Sequence, residues 1–409
     1  MKFIFVGGLM PKDIYSSEIK AAKVPLQNAA ENFQQAFISG LNQCSPSANS
    51  ACIDVVTAPF FGSWPTAHKS PWIKSKSSTS SPYLKVHGVG YPNIPIIKNI
   101  CKYFSIKKTL LKCIKSHSGD VIVFVYSLNL AYVAAVASLN KSGARVRIGA
   151  IVTDLPEHPA DCSLLYKLYL KYIEKPLLSR YLHNLNFFVT LTSLIPSALK
   201  ISQDKCVIVE GIYDEEYESY IDTSKVASDR ENKVVLYTGT LDKRYGIVRL
   251  LESFKSLADS AIELWVCGGG DGESLVVSAS EKNSKIKYLG SKQKKEIYEL
   301  QRQADLLVNP RDNTGDYNKY SFPSKTMEYM ASGTPTLIYQ LDGIPAEYYL
   351  HLYTVYNASG ESLETAITRV LATPKKVRIN KGLGARNFIL AHKTAKNQIR
   401  RVLNFLAAV

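Results

Sequence analysis

The sequence predicts an α/β protein of two Rossmann-like, doubly wound domains that face a central cleft. Three observations favour this class. The chain has 409 residues, more than one hydrophobic core usually supports. Its composition, 46% hydrophobic and 21% charged, is typical of globular proteins. In both halves, short apolar runs alternate with helical patterns, which favours βαβ crossovers and mainly parallel sheets.

The first half supplies one set of predicted strands. They are "FIFV" from Phe3, "CIDVVTA" from Cys52, "DVIVFVY" from Asp120, "VRIGAIVTD" from Val146, "NFFVTLT" from Asn186 and "KCVIVEG" from Lys205. The Ser-, Pro- and Lys-rich stretch 62–82 is predicted to be a long loop. The uncharged run 121–139 is nearly long enough to span a bilayer. Its β-branched first half and Ala-rich second half favour a buried strand followed by a packed helix.

A second set of strands follows the polar segment 214–233. It comprises "VVLYTG", "IELWVCGG", "IKYLG", "ADLLVN" and "TPTLIY". We therefore expect an N-terminal Rossmann-like domain over residues 1–215 and a C-terminal Rossmann-like domain over 216–385. A last long helix over 386–409 is expected to pack back on the first domain. In such sheets, ligands bind outside the carboxyl ends of the strands, often over helix N-termini.

The net charge of +15 is concentrated in part at residues 98–119, which hold six lysines and no acid. Five apolar residues are predicted to fall close to one face of a basic helix there: Ile100, Phe104, Leu110, Leu111 and Ile114. Such a helix can lie on anionic lipid, as can the basic stretch 166–180. A solvated face beside a core-packing stripe explains the same pattern. Nucleic acid is not an expected partner, because no binding motif is present.

The seven cysteines are scattered and form no CxxC pair, which favours a reducing cytoplasm over a disulfide scaffold. No metal site is expected. The acidic residues and histidine around Asp154 and His158 resemble a ligand set only loosely, because the prolines between them prevent a regular helix.

The stretch "FPSKTMEYMASGTP", which begins at Phe322, carries the candidate site. Pro323 is predicted to be the first residue of a helix. The free N–H groups of Ser324, Lys325 and Thr326 would then point out of the helix end, where phosphate binds. The helix dipole disfavours a lysine in the first turn unless an anion sits opposite. Glu328, one turn later, is placed to accept hydrogen bonds from a ribose. An ordinary capped helix with a surface lysine is the alternative.

Four stretches of the second half resemble, in order and spacing, the C-terminal domain of retaining family-4 glycosyltransferases. They are "YTGTLDKRYGIVRLLESF", "ELWVCGGGDGE", "YLGSKQKKEIYELQRQADLLVNPR" and "YSFPSKTMEYMASGTPTL". The likeness is greatest to members that build bacterial surface polysaccharides. It implies the GT-B fold and transfer of a hexosyl group from a nucleotide diphosphate sugar, UDP in preference to GDP or dTDP. It also implies no tightly bound cofactor or metal.

The same resemblance implies domain roles, an acceptor and a location. The domain 1–215 is expected to bind the acceptor, and the domain 216–385 the nucleotide sugar. The acceptor is a hydroxyl of a glycan, or of a glycan linked to polyprenyl diphosphate, and the sugar keeps its anomeric configuration. The enzyme is expected in the cytoplasm, as a peripheral protein at the inner face of the cell membrane, with the anionic lipid surface as a further partner.

Carried over by position, Glu328 matches the second glutamate of the family pair, which holds the donor ribose. The first glutamate falls at Tyr320. The phosphate-binding Arg and Lys of the family fall at Thr240 and Tyr245. Neutralising the diphosphate leaving group is therefore assigned jointly to Lys325, the helix N-terminus and a neighbouring cation.

Lys243 and Arg244 are the expected replacements for the missing cations, with solvent-exposed loop cations as the alternative. Further donor contacts are expected from residues that follow strands: Gly7, Gly8, Gly239, Thr240, Gly268, Arg311 and Tyr320. For Gly7 and Gly8, a plain tight turn is the alternative.

Asp154 follows a predicted strand, roughly where many relatives carry a catalytic histidine. Its carboxylate is a candidate to accept the acceptor's proton or to position the donor sugar. His158 is a second candidate for that role. Capping of the turn before Pro156 is the structural alternative for Asp154.

Two other functions fit the sequence. A catalytically silent subunit that binds a partner transferase or a glycan would account for Tyr320 in place of the first glutamate. A sugar-nucleotide epimerase on the same fold is disfavoured, because the acidic and His-rich pattern of such enzymes is absent.

Overall fold

A computed structural model describes most of the chain. The described residues are 1–24, 26–44, 53–81, 84–141, 145–155, 170–213, 215, 218, 231–257, 261–314 and 319–408. They form two compact units. The first unit contains residues 1–209 and 395–409, and the second contains residues 210–394. Each unit has its own largely parallel sheet with helices, so the predicted class of two Rossmann-like α/β domains is confirmed.

The first unit is built on the strand order β10-β9-β8-β7-β1-β2-β5-β4. Its strands are β1 (Lys2–Gly7), β2 (Ile53–Thr57), β3 (Trp72–Ile73), β4 (Lys76–Ser81), β5 (Leu84–Gly88), β6 (Tyr91–Pro92), β7 (Val121–Tyr126), β8 (Val146–Val152), β9 (Phe187–Thr190) and β10 (Cys206–Ile208). All neighbours in the large sheet are parallel except β4 and β5. The direction of the strand order reverses between β1 and β7, so their loops diverge there.

The central strands β1, β2 and β7 are wholly buried, which accounts for the continuous apolar runs of β1 and β7. The acid of β2, Asp54, is buried with its strand. Within the described part of the first unit, the helices are Lys12–Ala21, Asn28–Cys44, Ile97–Lys115, Leu130–Ala137, Lys175–Leu182, Ile195–Leu199 and Ala395–Ala408. The run 121–139 is β7 followed by the buried helix Leu130–Ala137, as predicted. Among the described residues, no helix is long and apolar enough to cross a bilayer.

The prediction of a long loop over residues 62–82 is wrong in part. β3 pairs with β6, and the serine-rich β4 pairs antiparallel with β5 at the edge of the sheet. An edge strand needs no continuous apolar face, and polar residues there discourage pairing with other chains. The composition of segment 62–82 therefore resembles that of a loop although part of it forms strands.

The second unit has the strand order β13-β12-β11-β14-β15-β16, all parallel. Its strands are β11 (Lys233–Thr238), β12 (Ile262–Cys267), β13 (Ile286–Tyr288), β14 (Leu306–Asn309), β15 (Thr336–Tyr339) and β16 (Tyr353–Val355). Its helices are Ile247–Ser256, Glu273–Lys282, Lys294–Gln303, Ser324–Ser332, Ala346–Tyr349, Leu363–Ala372 and Lys375–His392. The reversal lies between β11 and β14, the switch point at which doubly wound sheets bind ligands.

The single last helix predicted over 386–409 is two helices. Lys375–His392 belongs to the second unit, and Ala395–Ala408 belongs to the first. The chain breaks the helix at Lys393 and Thr394. Thr394 forms an isolated bridge with Tyr213, and the Lys393 carbonyl accepts a hydrogen bond from the Tyr213 N–H at 2.8 Å. No large apolar residue lies between Leu390 and Ile399, so this interruption of the apolar pattern was the available signal of the break.

Candidate functional site

The switch point of the second sheet collects most of the predicted donor contacts. The loop after β11 carries Gly239, Thr240, Lys243 and Arg244, and Arg311 follows β14. The helix Ser324–Ser332 begins further along the chain after β14. Because the carboxyl ends of parallel strands share one edge of the sheet, these loops leave the sheet side by side.

The helix that the sequence predicts at this edge begins at Ser324, one residue later than expected. Pro323 is its N-cap, with φ −68° and ψ 104°, and no side chain caps the helix. Proline has no N–H and offers no capping oxygen, so the end of the helix stays open to an external acceptor. Gly333 ends the helix in the left-handed conformation, at φ 79°.

Of the three amides predicted to be free, Thr326 is engaged inside the protein. Its N–H donates to the Pro323 carbonyl at 2.9 Å, and its side chain is fully buried. The expectation for Thr326 is therefore wrong for its amide, because the first turn closes tightly on Pro323. Ser324 and Lys325 occupy the first two helical positions, whose N–H groups have no acceptor within an α-helix.

Lys325 and Glu328, predicted to hold the diphosphate and the ribose, form an ion pair with each other. Their Nζ and Oε2 atoms are 2.7 Å apart. Burial opposes the lysine charge, but the attraction of Glu328 and its hydrogen bond outweigh burial and raise the pKa of Lys325. The lysine therefore stays charged at neutral pH, and a bound diphosphate would compete with Glu328 for it.

Two glycines bring the neighbouring loops into contact with this lysine. Gly268 has φ +143°, and a Cβ there would lie 1.8 Å from the Gly239 carbonyl oxygen. A Cβ on Gly239 would lie 3.7 Å from Cε of Lys325. The structure thus places Gly239, Gly268 and Lys325 together. Only a residue without a side chain allows the loop after β12 to approach this closely.

Of the two positions where the resemblance implies a cation, Thr240 and Tyr245, the second lies beside another cation. Thr240 is exposed, and its carbonyl accepts a hydrogen bond from the Tyr237 hydroxyl at 2.8 Å. The guanidinium carbon of Arg311 lies 5.1 Å from the ring centre of Tyr245. Arg311 also donates to the Ser321 hydroxyl at 2.6 Å, next to the partly buried Tyr320. Arg311 therefore supplies positive charge where Tyr245 replaces the expected lysine.

Lys243 and Arg244 form part of a short turn in the loop after β11. Asp242 accepts a hydrogen bond from the Arg244 N–H at 2.8 Å and forms an ion pair with its guanidinium. Hydrogen bonding from Arg244 lowers the pKa of Asp242 although burial opposes the shift. Arg244 is thus held by a carboxylate of its own loop, and both Arg244 and Lys243 are exposed.

In the first unit, Gly7 and Gly8 are packed against protein side chains. A Cβ on Gly7 would lie 2.2 Å from Oε1 of Gln34, and one on Gly8 would lie 2.3 Å from the Phe60 ring. The Gly8 amide donates to Gln34 at 2.9 Å. Close packing against these side chains therefore explains both glycines, and their contact with a donor stays a prediction.

Asp154 is exposed two residues beyond β8. Burial, and to a lesser degree the carboxylates of Asp154 and Glu31, raises the pKa of Tyr126 at the end of β7. Asp154 therefore lies near the switch point of the first sheet, while the other catalytic candidates belong to the second unit. His158 and the remainder of the loose acidic cluster lie outside the described residues.

Sequence reasoning missed two polar residues at the same switch point. Besides Gln34, Glu31 fixes the loop after β1, accepting the Met10 N–H through both carboxylate oxygens at 3.1 and 2.9 Å. Both residues lie in the helix Asn28–Cys44, three positions apart. Their spacing places them on one face of that helix, which was the available signal.

A second unpredicted cluster brings Asp54, His87 and Cys113 within metal-binding distance of one another. Asp54 is paired with the buried Lys2 ammonium and hydrogen-bonded to His87 at 3.0 Å. Lys2 also donates to the Cys113 carbonyl at 2.9 Å. The lysine already neutralises the carboxylate, so this cluster is an ion-pair network of the core.

Comparison of the chain with known protein families supports an enzymatic function. Residues 221–381 match the family model "Glycosyl transferases group 1". The match covers the loops after β11, β12 and β14 and the helix Ser324–Ser332, which together form the candidate site. It supports glycosyltransferase function. No curated protein sequence matches the chain.

Solved structures match the chain over almost its whole length. A trehalose-6-phosphate synthase studied for enzymatic glycosyltransfer with retention has a TM-score of 0.68 at 10% identity, covering 100% of this chain and 99% of that one. Sucrose-phosphate synthase from Thermosynechococcus elongatus has a TM-score of 0.63 at 14% identity, with full coverage of both chains.

A third structure, of trehalose-6-phosphate from E. coli bound with UDP-2-fluoro glucose, has a TM-score of 0.65 at 10% identity and covers 99% of each chain. At these identities the likeness shows the fold alone. The fold is that of GT-B glycosyltransferases, which confirms this part of the resemblance.

Proposed function

We propose that the chain is a retaining family-4 glycosyltransferase of bacterial surface-polysaccharide synthesis. It moves a hexosyl group from a nucleotide diphosphate sugar to a hydroxyl of a glycan or of a polyprenyl-diphosphate-linked glycan. UDP is the favoured carrier, consistent with the UDP-2-fluoro glucose bound in the E. coli structure. The acceptor places the enzyme in the cytoplasm, at the inner face of the cell membrane.

The observation that carries this proposal is the uncapped N-terminus of the helix Ser324–Ser332 at the switch point, with Lys325 beside it. An open helix end attracts phosphate through its N–H groups and its dipole. In sugar transfer from a nucleotide diphosphate, negative charge develops on the leaving diphosphate, so fixed positive charge at this place stabilises the transition state.

In this mechanism, Lys325 exchanges Glu328 for the diphosphate, which releases Glu328 to accept hydrogen bonds from the ribose. Arg311 provides the second positive charge from above Tyr245, and Lys243 provides a third from the loop after β11. Arg244 contributes if the diphosphate displaces Asp242. Asp154 accepts the proton of the acceptor hydroxyl or positions the donor sugar.

Thermal shift with UDP, GDP and dTDP tests the nucleotide site. We expect UDP to stabilise the protein, and Lys325→Met and Arg311→Met each to weaken UDP affinity by roughly tenfold, as loss of a charge-assisted contact would do. Lys295→Met is a matched control, because Lys295 is exposed at the second position of another helix, Lys294–Gln303. Unchanged affinity in both site variants would refute the assignment.

A direct assay separates transfer from binding. We expect the active enzyme to hydrolyse the preferred sugar nucleotide slowly. Release of the nucleoside diphosphate measures this reaction. Proton NMR of the first-formed sugar product then reports whether the anomeric configuration is retained. An inverted product would contradict the proposed mechanism while leaving donor binding intact.

A silent subunit is the second candidate function, favoured by Tyr320 in place of the family's first glutamate. A carboxylate accepts hydrogen bonds from sugar hydroxyls with a full negative charge, whereas the tyrosine hydroxyl is neutral. Absence of both nucleotide binding and donor hydrolysis would favour this candidate over the enzyme.

A further inference from the structure

The helix Ile97–Lys115 has two distinct faces, and its exposed face differs from the one that the sequence predicts. The buried face consists of Lys102, Ile106, Leu110, Cys113 and Ile114. Ile100 and Phe104, expected on the same face as Leu110 and Ile114, instead point to solvent. Three- and four-residue steps continue the exposed face from them to Lys108, Lys112 and Lys115.

The exposed face begins with a cluster of large apolar side chains, here called the apolar patch: Ile94, Ile96, Ile97, Ile100 and Phe104. Ile96 is 75% exposed, Phe104 62% and Ile100 55%. A soluble surface rarely leaves this many large apolar side chains together in water unless another surface covers them.

Two exposed tryptophans adjoin the apolar patch. Trp72 pairs with Pro92, two residues before Ile94. The Trp64 amide donates to the Asn93 carbonyl at 2.9 Å. Tryptophan favours the headgroup level of a bilayer, where its ring is apolar and its N–H can still reach water.

The charge around the patch selects its partner. Residues 55–119 contain ten lysines and no aspartate or glutamate. On the helix itself, the apolar half of the exposed face is followed by a basic half, which contains Lys108, Lys112 and Lys115. This pairing of apolar insertion with lysine is the signature of a helix that lies in the interface of an anionic membrane.

A second exposed apolar group lies on a neighbouring element. Tyr172, Ile173 and Leu177 are exposed at and just before the helix Lys175–Leu182. That helix and Ile97–Lys115 both pack against the helix Leu130–Ala137. Two of the helices of this layer therefore lie beside exposed apolar side chains.

We propose that the apolar patch inserts into the interface of an anionic lipid bilayer and that Lys108, Lys112 and Lys115 bind its headgroups. This deepens the proposed location at the membrane by naming the surface that binds. Vesicle binding requires no nucleotide, so its failure and the failure of the proposed transferase activity are distinguishable.

Vesicle sedimentation tests the proposal with the full chain. We expect binding to vesicles of phosphatidylcholine with phosphatidylglycerol, weak binding to phosphatidylcholine alone, and weaker binding at high salt. Ile97→Gln/Ile100→Gln/Phe104→Gln should lower the partition coefficient roughly tenfold or more, because three apolar side chains no longer leave water. Lys108→Gln/Lys112→Gln/Lys115→Gln should lower it by a similar factor on anionic vesicles only.

The matched control is Leu275→Gln/Val277→Gln/Leu350→Gln, which removes three exposed apolar side chains of the second unit and should leave binding unchanged. In a Trp265→Phe background, the remaining tryptophans are Trp64 and Trp72, so brominated lipid should quench their fluorescence. Absence of vesicle binding, or equal binding of the wild type and the first triple variant, would overturn the proposal. If the wild type forms a dimer and does not bind vesicles, and only the first triple variant is monomeric, the patch binds a second copy of the chain.

Discussion

Asp154 is the residue whose role can be separated most cleanly from binding. It belongs to the first unit, whereas Lys325, Glu328 and Arg311 belong to the second. We expect Asp154→Asn to lower kcat by about a hundredfold or more, the usual contribution of a general base. The affinity for UDP should stay unchanged, because the nucleotide contacts lie elsewhere.

Steady-state transfer together with UDP titration checks this expectation. Asp120→Asn is the matched control, since Asp120 is also exposed in the first unit but precedes β7 at the other end of the strands. A normal kcat in the Asp154→Asn variant would contradict the catalytic role and favour capping of the turn before Pro156.

Lys102 is a buried ammonium without a carboxylate beside it among the described residues. Its Nζ donates to the carbonyls of Ala58 and Pro59 and lies 4.5 Å from the ring centre of Tyr91. Burial, with a smaller contribution from the Lys98 charge, lowers the pKa of Lys102 to about 7. One of the six lysines of the helix Ile97–Lys115 is therefore buried in the core.

This depressed pKa predicts that the first unit is more stable in mild alkali. Between pH 7 and pH 10.5 the unfolded chain holds a proton on Lys102 that the folded chain releases, so the free energy of unfolding rises with pH. The contribution is at most about 1.4 kcal/mol per pH unit and is constant below pH 7. Lys102→Met should flatten this rise in denaturant unfolding between pH 7 and 9.

Lys108→Met, on the exposed face of the same helix, is the control and should follow the wild-type profile. Parallel profiles for the wild type and Lys102→Met would show that the carbonyls and tyrosine rings keep Lys102 charged. The sequence could not predict this burial, because a lysine at this spacing fits a solvated or lipid-facing stripe equally well.

Among the elements, the helix Ser324–Ser332 is fastened to β11 by Tyr329. The fully buried Tyr329 hydroxyl accepts the Thr238 N–H at 2.8 Å and donates to the Thr238 carbonyl at 2.9 Å. Tyr329→Phe leaves both backbone groups without this partner. We expect a loss of about 1–3 kcal/mol in the free energy of unfolding of the second unit.

Thermal denaturation with and without UDP measures this loss. The variant should also bind UDP more weakly, because Lys325 and Glu328 lie on the fastened helix. Tyr356→Phe removes a hydroxyl from an exposed side chain and serves as the control. A Tyr329→Phe variant of wild-type stability would indicate that water or a rearranged side chain replaces the hydroxyl.

The elements themselves were largely predictable from sequence, and their edges were not. The runs beginning at Phe3 and Asp120 form central strands buried on both faces, so their apolar sequences are continuous. β4 escaped detection because an edge strand of serines needs no apolar pattern. At the candidate site, the sequence located Lys325 and Glu328 but could not reveal their ion pair, or the stacking of Arg311 on Tyr245, since both depend on side-chain geometry.

At the scale of the whole molecule, the chain enters the second unit once and returns to finish the first. Residues 395–409 belong to the first unit, where the helix Ala395–Ala408 packs on the helix Asn28–Cys44. The contact is close: a Cβ on Gly40 would lie 2.5 Å from the Ala395 carbonyl oxygen. Ile399, Val402 and Leu406 are buried in this contact.

Deleting residues 395–409 should therefore destabilise the first unit and spare nucleotide binding by the second. Loss of the burial of Ile399, Val402 and Leu406 should lower the free energy of unfolding of the first unit by roughly 5 kcal/mol. The tryptophans provide separate reporters, because Trp64 and Trp72 lie in the first unit and Trp265 in the second. In a Trp265→Phe background, the deletion should lower the denaturant midpoint of fluorescence strongly. In a Trp64→Phe/Trp72→Phe background, the midpoint and the UDP-induced shift should change little. Equal losses in the two backgrounds would mean that the units unfold as one, despite their separate cores.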